Sequence, residues 1–183
     1  MRIVLIGMLL TVLVISAFPA ATLSAESGWN EAGIRIGIRA TPRSEYFRQY
    51  DAFAVYGLPW EWHLPHGWSV TPNASLSLGI LENDRLIDFI GSGATALALG
   101  KEGSGFTTDL GIDFNFLDGR HIGSIDFGSA LLFGAYAGIN YRFSGGLKVG
   151  YRLQHISNGH ILYQSGTPNP GLDMHLFGIS YAL

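Results

Sequence analysis

The sequence predicts an all-β protein, an eight-stranded antiparallel transmembrane β-barrel. Three observations predict it. Apolar and polar residues alternate with period two through most of the chain after residue 25, the signature of strands with two unlike faces. Beyond the N-terminal segment, no apolar stretch reaches the ~20 residues that a membrane helix needs. The polar face of the alternation carries charges and glycines, as the interior of a small barrel does, while the other face is apolar and rich in aromatics near strand ends. Backbone groups in hydrocarbon need internal partners, so a sheet there must close on itself.

Composition bounds the rest. The 183 residues carry a formal charge of −3, and only 14% of them are charged. Glycine is abundant at 25 residues, and cysteine is absent. A disulfide framework, thiol catalysis and cysteine-based zinc sites are therefore excluded. The mild acidity gives no reason to invoke nucleic acid.

Residues 1–25 read as a secretory signal peptide. Arg2 supplies the positive start, Ile3 to Phe18 is an uncharged apolar run, and cleavage is expected after Ala25. The barrel then occupies 26–183, a single domain with 10 basic and 14 acidic side chains.

Eight strands follow in order, at about 32–41, 45–60, 67–82, 86–100, 105–117, 127–143, 146–158 and 172–183. In the first, Ile34, Ile36 and Ile38 alternate with Arg35, Gly37 and Arg39. The next three have broken patterns, which suggests bulges or long extramembrane ends. The fifth is the clearest: Phe106, Leu110, Ile112, Phe114 and Phe116 share one face, and Thr107, Asp109, Gly111, Asp113 and Asn115 the other. The sixth sets Phe133, Ala135, Ala137, Ile139, Tyr141 and Phe143 against Gly134, Tyr136, Gly138, Asn140 and Arg142. The seventh sets Leu147, Val149, Tyr151 and Leu153 against Lys148, Gly150, Arg152 and Gln154, and the eighth repeats the pattern from Phe177 to Leu183. Lumen charges (Asp109, Asp113, Arg35, Arg39, Arg142, Arg152) are expected to pair with one another, and side chains fill an eight-stranded interior, so no conducting pore is expected. With the N-terminus starting in the periplasm, the connection from about 159 to 171 is extracellular, and the tryptophan-rich 60–68 segment is a periplasmic turn.

The chemistry-bearing residues lie at the outer ends of the last two strands. His155 and Ser157 are two apart, so they share a face, and their parity is that of Leu147, Val149, Tyr151 and Leu153. Asp173 has the lipid-facing parity of Phe177, Ile179 and Tyr181. Neighbouring strands lie ~4.8 Å apart, so Asp173 is placed to approach the imidazole. Ser, His and Asp fit the roles of nucleophile, general base and orienting acid. The pattern alone leaves a second reading open, that of an interfacial polar rim. There is no G-x-S-x-G elbow, so this is not an ordinary α/β hydrolase.

The run Gln154-His155-Ile156-Ser157-Asn158-Gly159, with Pro168-Asn169-Pro170-Gly171-Leu172-Asp173 and the stretch from Phe127 to Phe143, resembles the signature of outer-membrane lipid A 3-O-deacylases of the PagL type. The resemblance implies catalytic groups on the outside of the barrel, facing the outer leaflet of the bacterial outer membrane. It implies hydrolysis of the ester-linked acyl chain at the 3-position of lipid A, with Ser157 as nucleophile, His155 as base and Asp173 as acid. The acid usual in the family is Glu, so Asp173 is a shorter substitute. Asn169 resembles an oxyanion-hole contributor, a backbone N–H near Gly159 is a second candidate, and Asn158 is expected to shape the same loop. The substrate partner is then lipid A or lipopolysaccharide. No cofactor or metal is expected, and a monomer or homodimer is expected.

Two other functions stand beside this one. A structural or adhesive barrel leaves His155, Ser157 and Asp173 unrelated in space. Another lipid esterase or an acyltransferase uses similar chemistry, but an acyltransferase needs an apolar cavity, and the lumen-facing residues read as polar. Of the remaining histidines, His63 and His66 read as a girdle turn rather than a metal pair. His175 reads as interfacial, His160 as a loop residue and His121 as a turn residue.

Overall fold

The structure, a computed structural model, describes residues 22–23, 27–42, 45–83, 86–160 and 166–183. The expected signal peptide lies outside the described residues, apart from the backbone pairing of Thr22–Leu23 with Trp60–Glu61.

Eight long strands form the wall: β1 Gly28–Arg39, β2 Phe47–Gly57, β3 Trp68–Asn83, β4 Ile87–Lys101, β5 Phe106–Leu117, β6 Leu131–Arg142, β7 Leu147–Ser157 and β8 Leu172–Ala182. Each pairs antiparallel with its sequence neighbours. β8 pairs back onto β1, with Phe177 opposite Ile36, and closes the barrel. No sheet edge remains along the wall, which satisfies the backbone without water. The connections after β1, β3, β5 and β7 form one end, here the loop end. The other, the terminal end, holds both ends of the barrel chain.

The two faces separate as the alternation predicts. Ile34, Leu78, Leu110 and Ile112 are 58%, 64%, 68% and 59% exposed, and all point outward. A contiguous apolar wall of this size is not tolerated in water and fits hydrocarbon. Aromatics cluster toward its ends, including the edge-to-face pairs Trp29–Tyr56 and Phe114–Phe133 and the tilted pair Phe106–Tyr141. No helix among the described residues is long and apolar enough to cross a membrane.

Inside, charges pair as the sequence reading expects. Arg35 Nε donates to Asp51 at 2.8 Å, and Gln49 Nε2 to the same carboxylate at 2.7 Å. Buried Glu31 accepts from Lys148 at 2.7 Å and from Ser180 at 2.8 Å. Asn140 donates to Asp109 at 2.7 Å, and Gln154 to Asp113 at 2.8 Å. The Arg152 guanidinium lies 3.6 Å over the Tyr136 ring. Tyr136 reaches across β5 at Gly111, where a Cβ would collide with its ring. Arg39 departs from the lumen expectation. It sits at the loop end, donating to the Glu45 carbonyl at 2.7 Å and lying 5.1 Å over Tyr46.

The lumen is polar only in part. Toward the loop end it is filled by Phe47, Leu81, Ile90, Leu117, Ile122, Phe127, Leu132, Ile156, Leu172, Met174 and Leu176, none more than 6% exposed. A small hairpin, His121–Ile122 with Ile125–Asp126, contributes Ile122 to this plug. The expected sixth strand from 127 is shorter, because Phe127 belongs to the plug and pairing begins at Leu131. The expected 45–60 strand ends at Gly57 as β2, and the 60–68 segment expected as a turn contains a short strand, Trp60–Leu64, that folds back on the start of β3. Both β3, with 16 residues, and β4, with 15, exceed the ~9–11 needed to span hydrocarbon.

Candidate functional site

β7 and β8 place the predicted residues. On β7, Gln154 and Ile156 are buried inside, so His155, between them, must point outward. On β8, Leu172 and Met174 are buried and Asp173 points outward between them. The register sets His155 directly opposite Asp173. Directly opposed residues have Cβ atoms ~4.5–5.5 Å apart, a span that one short carboxylate bridges. His155 Nδ1 and Asp173 Oδ1 are 2.6 Å apart. This is a short hydrogen bond, just under the ~2.7–2.9 Å of charge-assisted N–H···O pairs. With Asp173 accepting at Nδ1, the ring presents Nε2 as its free base position. The second carboxylate oxygen is also engaged: Thr41 Oγ1 donates to Asp173 Oδ2 at 3.0 Å.

The imidazole is confined on its other edge by Gly171. This residue has φ +58, and a Cβ built on it would lie 2.8 Å from His155 Cε1 and 3.4 Å from Nε2. Both the left-handed backbone and the close approach require glycine here.

Ser157 ends β7, opposite Phe133, with the outward parity of His155 and partial exposure. The structure thus joins His155 and Asp173 by a hydrogen bond, and sets Ser157 one outward position further along the same strand. Among the described residues, no hydrogen bond joins Ser157 Oγ to the imidazole.

The loop beyond β7 is organised by Asn158, which is fully buried. Its Nδ2 donates to the carbonyls of Phe127 at 2.8 Å and Pro168 at 2.6 Å. Its Oδ1 accepts from the His160 N–H at 3.0 Å. Its own N–H donates to Asn169 Oδ1 at 3.0 Å. Asn158 is therefore a loop pin with its amide fully used. The Asn169 amide is oriented by that last bond, which leaves its NH2 as the available donor. Gly159 lies in the turn, exposed, with φ +61. His160 Nε2 donates to the Thr167 carbonyl of its own loop at 2.9 Å. His175 stacks on Tyr151, whose hydroxyl is 2.8 Å from His175 Nδ1. His121 lies 3.3 Å from Asp126 in the hairpin, and His66 occupies a left-handed turn position before β3.

Sequence reasoning missed Thr41 and Gly171. Thr41 lies 132 residues from Asp173 in a loop with no periodicity to read. Gly171 carried a signal, a glycine directly before the strand that bears the acid, although its contact with the imidazole is a matter of three dimensions.

A closed eight-stranded barrel with an apolar outer wall, packed interior and paired ionisable groups outside is an outer-membrane β-barrel. Residues 48–182 match the family model described as lipid A 3-O-deacylase (PagL), and the chain belongs to that family. A crystal structure of the outer membrane enzyme PagL superposes with a TM-score of 0.69 at 19% identity, covering 84% of this chain and 99% of that one. A de novo designed transmembrane β-barrel has a TM-score of 0.46 at 12% identity, covering 88% of this chain and 100% of its own. The Yersinia pestis outer membrane protein Ail has a TM-score of 0.45 at 10% identity, covering 84% and 99%. No curated protein matches the chain in sequence.

Proposed function

We propose that the protein is a lipid A 3-O-deacylase that cleaves the ester-linked 3-hydroxyacyl chain at the 3-position, using Ser157, His155 and Asp173 at the outer-leaflet end of the barrel wall. The observation that carries this reading is the 2.6 Å His155–Asp173 hydrogen bond on the outside of the barrel. Ionisable groups facing lipid are costly and mark functional sites. A His–carboxylate pair supplies the base and orienting acid that a nucleophilic serine needs, and Ser157 shares their outward face.

In the proposed reaction Ser157 Oγ attacks the ester carbonyl while His155 Nε2 takes the hydroxyl proton. Asp173 holds the ring in the required tautomer and stabilises the imidazolium. The tetrahedral intermediate expels the sugar O3, which receives the proton from His155, and leaves an acyl-serine. Water then attacks the acyl-serine with His155 again as base. This frees the 3-hydroxy fatty acid and restores Ser157. The Asn169 NH2 and the Gly159 N–H are the candidate oxyanion donors.

The location suits an insoluble substrate. The lipid stays in the leaflet with its chains against the outer wall, and its ester meets the serine at headgroup level. An acyltransferase that holds a chain inside the barrel is disfavoured, because the apolar part of the lumen is filled by packed side chains. The space that remains toward the terminal end is lined by charged and polar side chains: a cavity of about 80 Å³ beside Glu31, Arg35, Asp109 and Arg152, and one of about 260 Å³ beside Glu31, Asn73, Arg142 and Lys148.

The test uses purified protein in detergent with lipid A, following release of free 3-hydroxy fatty acid. Wild type releases it. Ser157→Ala and His155→Ala do not, although both remain folded barrels. Full activity in either variant refutes the assignment.

A further inference from the structure

We infer that Thr41 is a positioning residue of the catalytic site: its hydroxyl fixes the Asp173 carboxylate so that one oxygen always faces His155. The inference rests on the esterase reading given above and concerns a residue outside the stretch that matches the family, 48–182.

Asp173 spends its two oxygens on different partners. Oδ1 meets His155 Nδ1 at 2.6 Å, and Oδ2 accepts from Thr41 Oγ1 at 3.0 Å. The terminal torsion of an aspartate is broad, and a hydrogen bond on each oxygen narrows it. Held by both, the carboxylate cannot turn without losing both bonds. This matters here because the Asp173 side chain is about a third exposed, and water competes for each oxygen.

Thr41 is itself placed by the backbone. The Ala40 N–H donates to the Asp173 carbonyl at 2.7 Å, which carries the β1–β8 ladder one step beyond the Arg39–Met174 pair. The next residue along is Thr41. The far side of the same loop is clamped by Glu45. One of its oxygens accepts from Asn83 Nδ2 at 2.6 Å, and the other from the Ser124 N–H at 2.8 Å and from the Ser124 hydroxyl. The loop between β1 and β2 is thus anchored at both ends, and its anchored start presents one hydroxyl to the acid.

The choice of donor has a chemical consequence. A guanidinium or ammonium at this position would orient the carboxylate and also neutralise it, removing the charge that stabilises the imidazolium. A neutral hydroxyl orients it and leaves the charge in place. A threonine is also short and branched at Cβ, so it has few rotamers to lose.

The experiment measures covalent labelling of Ser157 by a fluorophosphonate. Ser157 Oγ attacks phosphorus, His155 takes the proton and fluoride leaves, so the rate reports serine activation without lipid substrate. Wild type, Thr41→Val and Thr41→Ser are compared, with folding checked by the gel mobility of the unheated barrel. Thr41→Val keeps the shape and loses the donor. It is expected to label about tenfold more slowly, the scale of one hydrogen bond to a charged group. Thr41→Ser is expected to label within about twofold of wild type. With lipid A as substrate, the Thr41→Val loss falls on kcat, with KM unchanged. Labelling of Thr41→Val at the wild-type rate overturns the positioning role and leaves the esterase reading intact. A Thr41→Ser variant as slow as Thr41→Val also overturns it, since the effect then belongs to loop packing. A wild-type protein that does not label at Ser157 overturns the esterase reading, and the positioning role with it.

Discussion

Replacing Gly171 with alanine perturbs the candidate site by one methyl group. Two effects follow from the local structure. At φ +58 an L-residue is strained by roughly 1–2 kcal/mol, borne by the loop that leads into β8. The methyl also lies 2.8 Å from His155 Cε1, where an ordinary carbon–carbon contact needs ~3.5–4.0 Å. The imidazole must therefore retreat by about 0.7 Å or more. It cannot do so and keep the 2.6 Å bond to Asp173. Misplacement of a reacting group by ~1 Å reduces rate by ~10²-fold, equivalent to about 2.7 kcal/mol of barrel-bound catalysis. The assay is the initial rate of 3-hydroxy fatty acid release from lipid A in detergent, with wild type alongside. Gly166→Ala is the control. Its backbone is also left-handed, at φ +100, but a Cβ there meets nothing within 4 Å. The expected result is a ~10²-fold loss for Gly171→Ala and near-normal activity for Gly166→Ala. Equal rates in Gly171→Ala and wild type would show that the imidazole is not confined as described. Equal losses in both variants would assign the effect to loop strain alone.

Three further predictions follow from the same geometry. Asp173→Asn keeps the side-chain shape but loses the charge and the required tautomer control, so kcat falls by about 10⁴-fold while the unheated barrel keeps its gel mobility. Asn158→Ala leaves the Phe127 and Pro168 carbonyls without their donor, destabilising this end of the barrel by about 2–4 kcal/mol. Amide hydrogen exchange in the 121–126 hairpin then accelerates, and Asn158→Asp does not restore protection because a carboxylate cannot donate to two carbonyls. Ile112→Arg puts a charge on the outer wall at a position 59% exposed, and destabilises the barrel in lipid vesicles by about 2–4 kcal/mol. Urea titration reads the loss, and an unchanged midpoint would mean that this wall faces water.

The wall was legible because side-chain parity is a one-dimensional signal. A residue such as Ile112, Phe177 or His155 inherits its face from its neighbours at i±2, and the buried partners Gln154 and Ile156 fix His155 outward. The pairing of His155 with Asp173 was legible for the same reason, since adjacent strands joined by one loop must lie side by side. The apolar plug was not foreseen, although its signal was present. Ile156, Leu172, Met174 and Leu176 have inward parity and no polar atom suited to a lumen network, and together they announce a dry loop end. The hairpin 121–126 has no sequence signature, because two-residue strands have no period. Thr41 had no signal at all, because its partner is fixed by barrel closure between the first and last strands rather than by local pattern. Asn158, expected to shape the loop, pins it with its side-chain amide, and the Asn169 carbonyl oxygen accepts from the Asn158 N–H.

The most direct test of the account is the mass spectrum of lipid A from cells making the wild-type protein or Ser157→Ala at equal levels in the outer membrane. The account predicts loss of one 3-hydroxyacyl group from the 3-position in cells with the wild type, and intact lipid A in cells with the variant. Identical spectra from the two, with both barrels folded in the membrane, would contradict it.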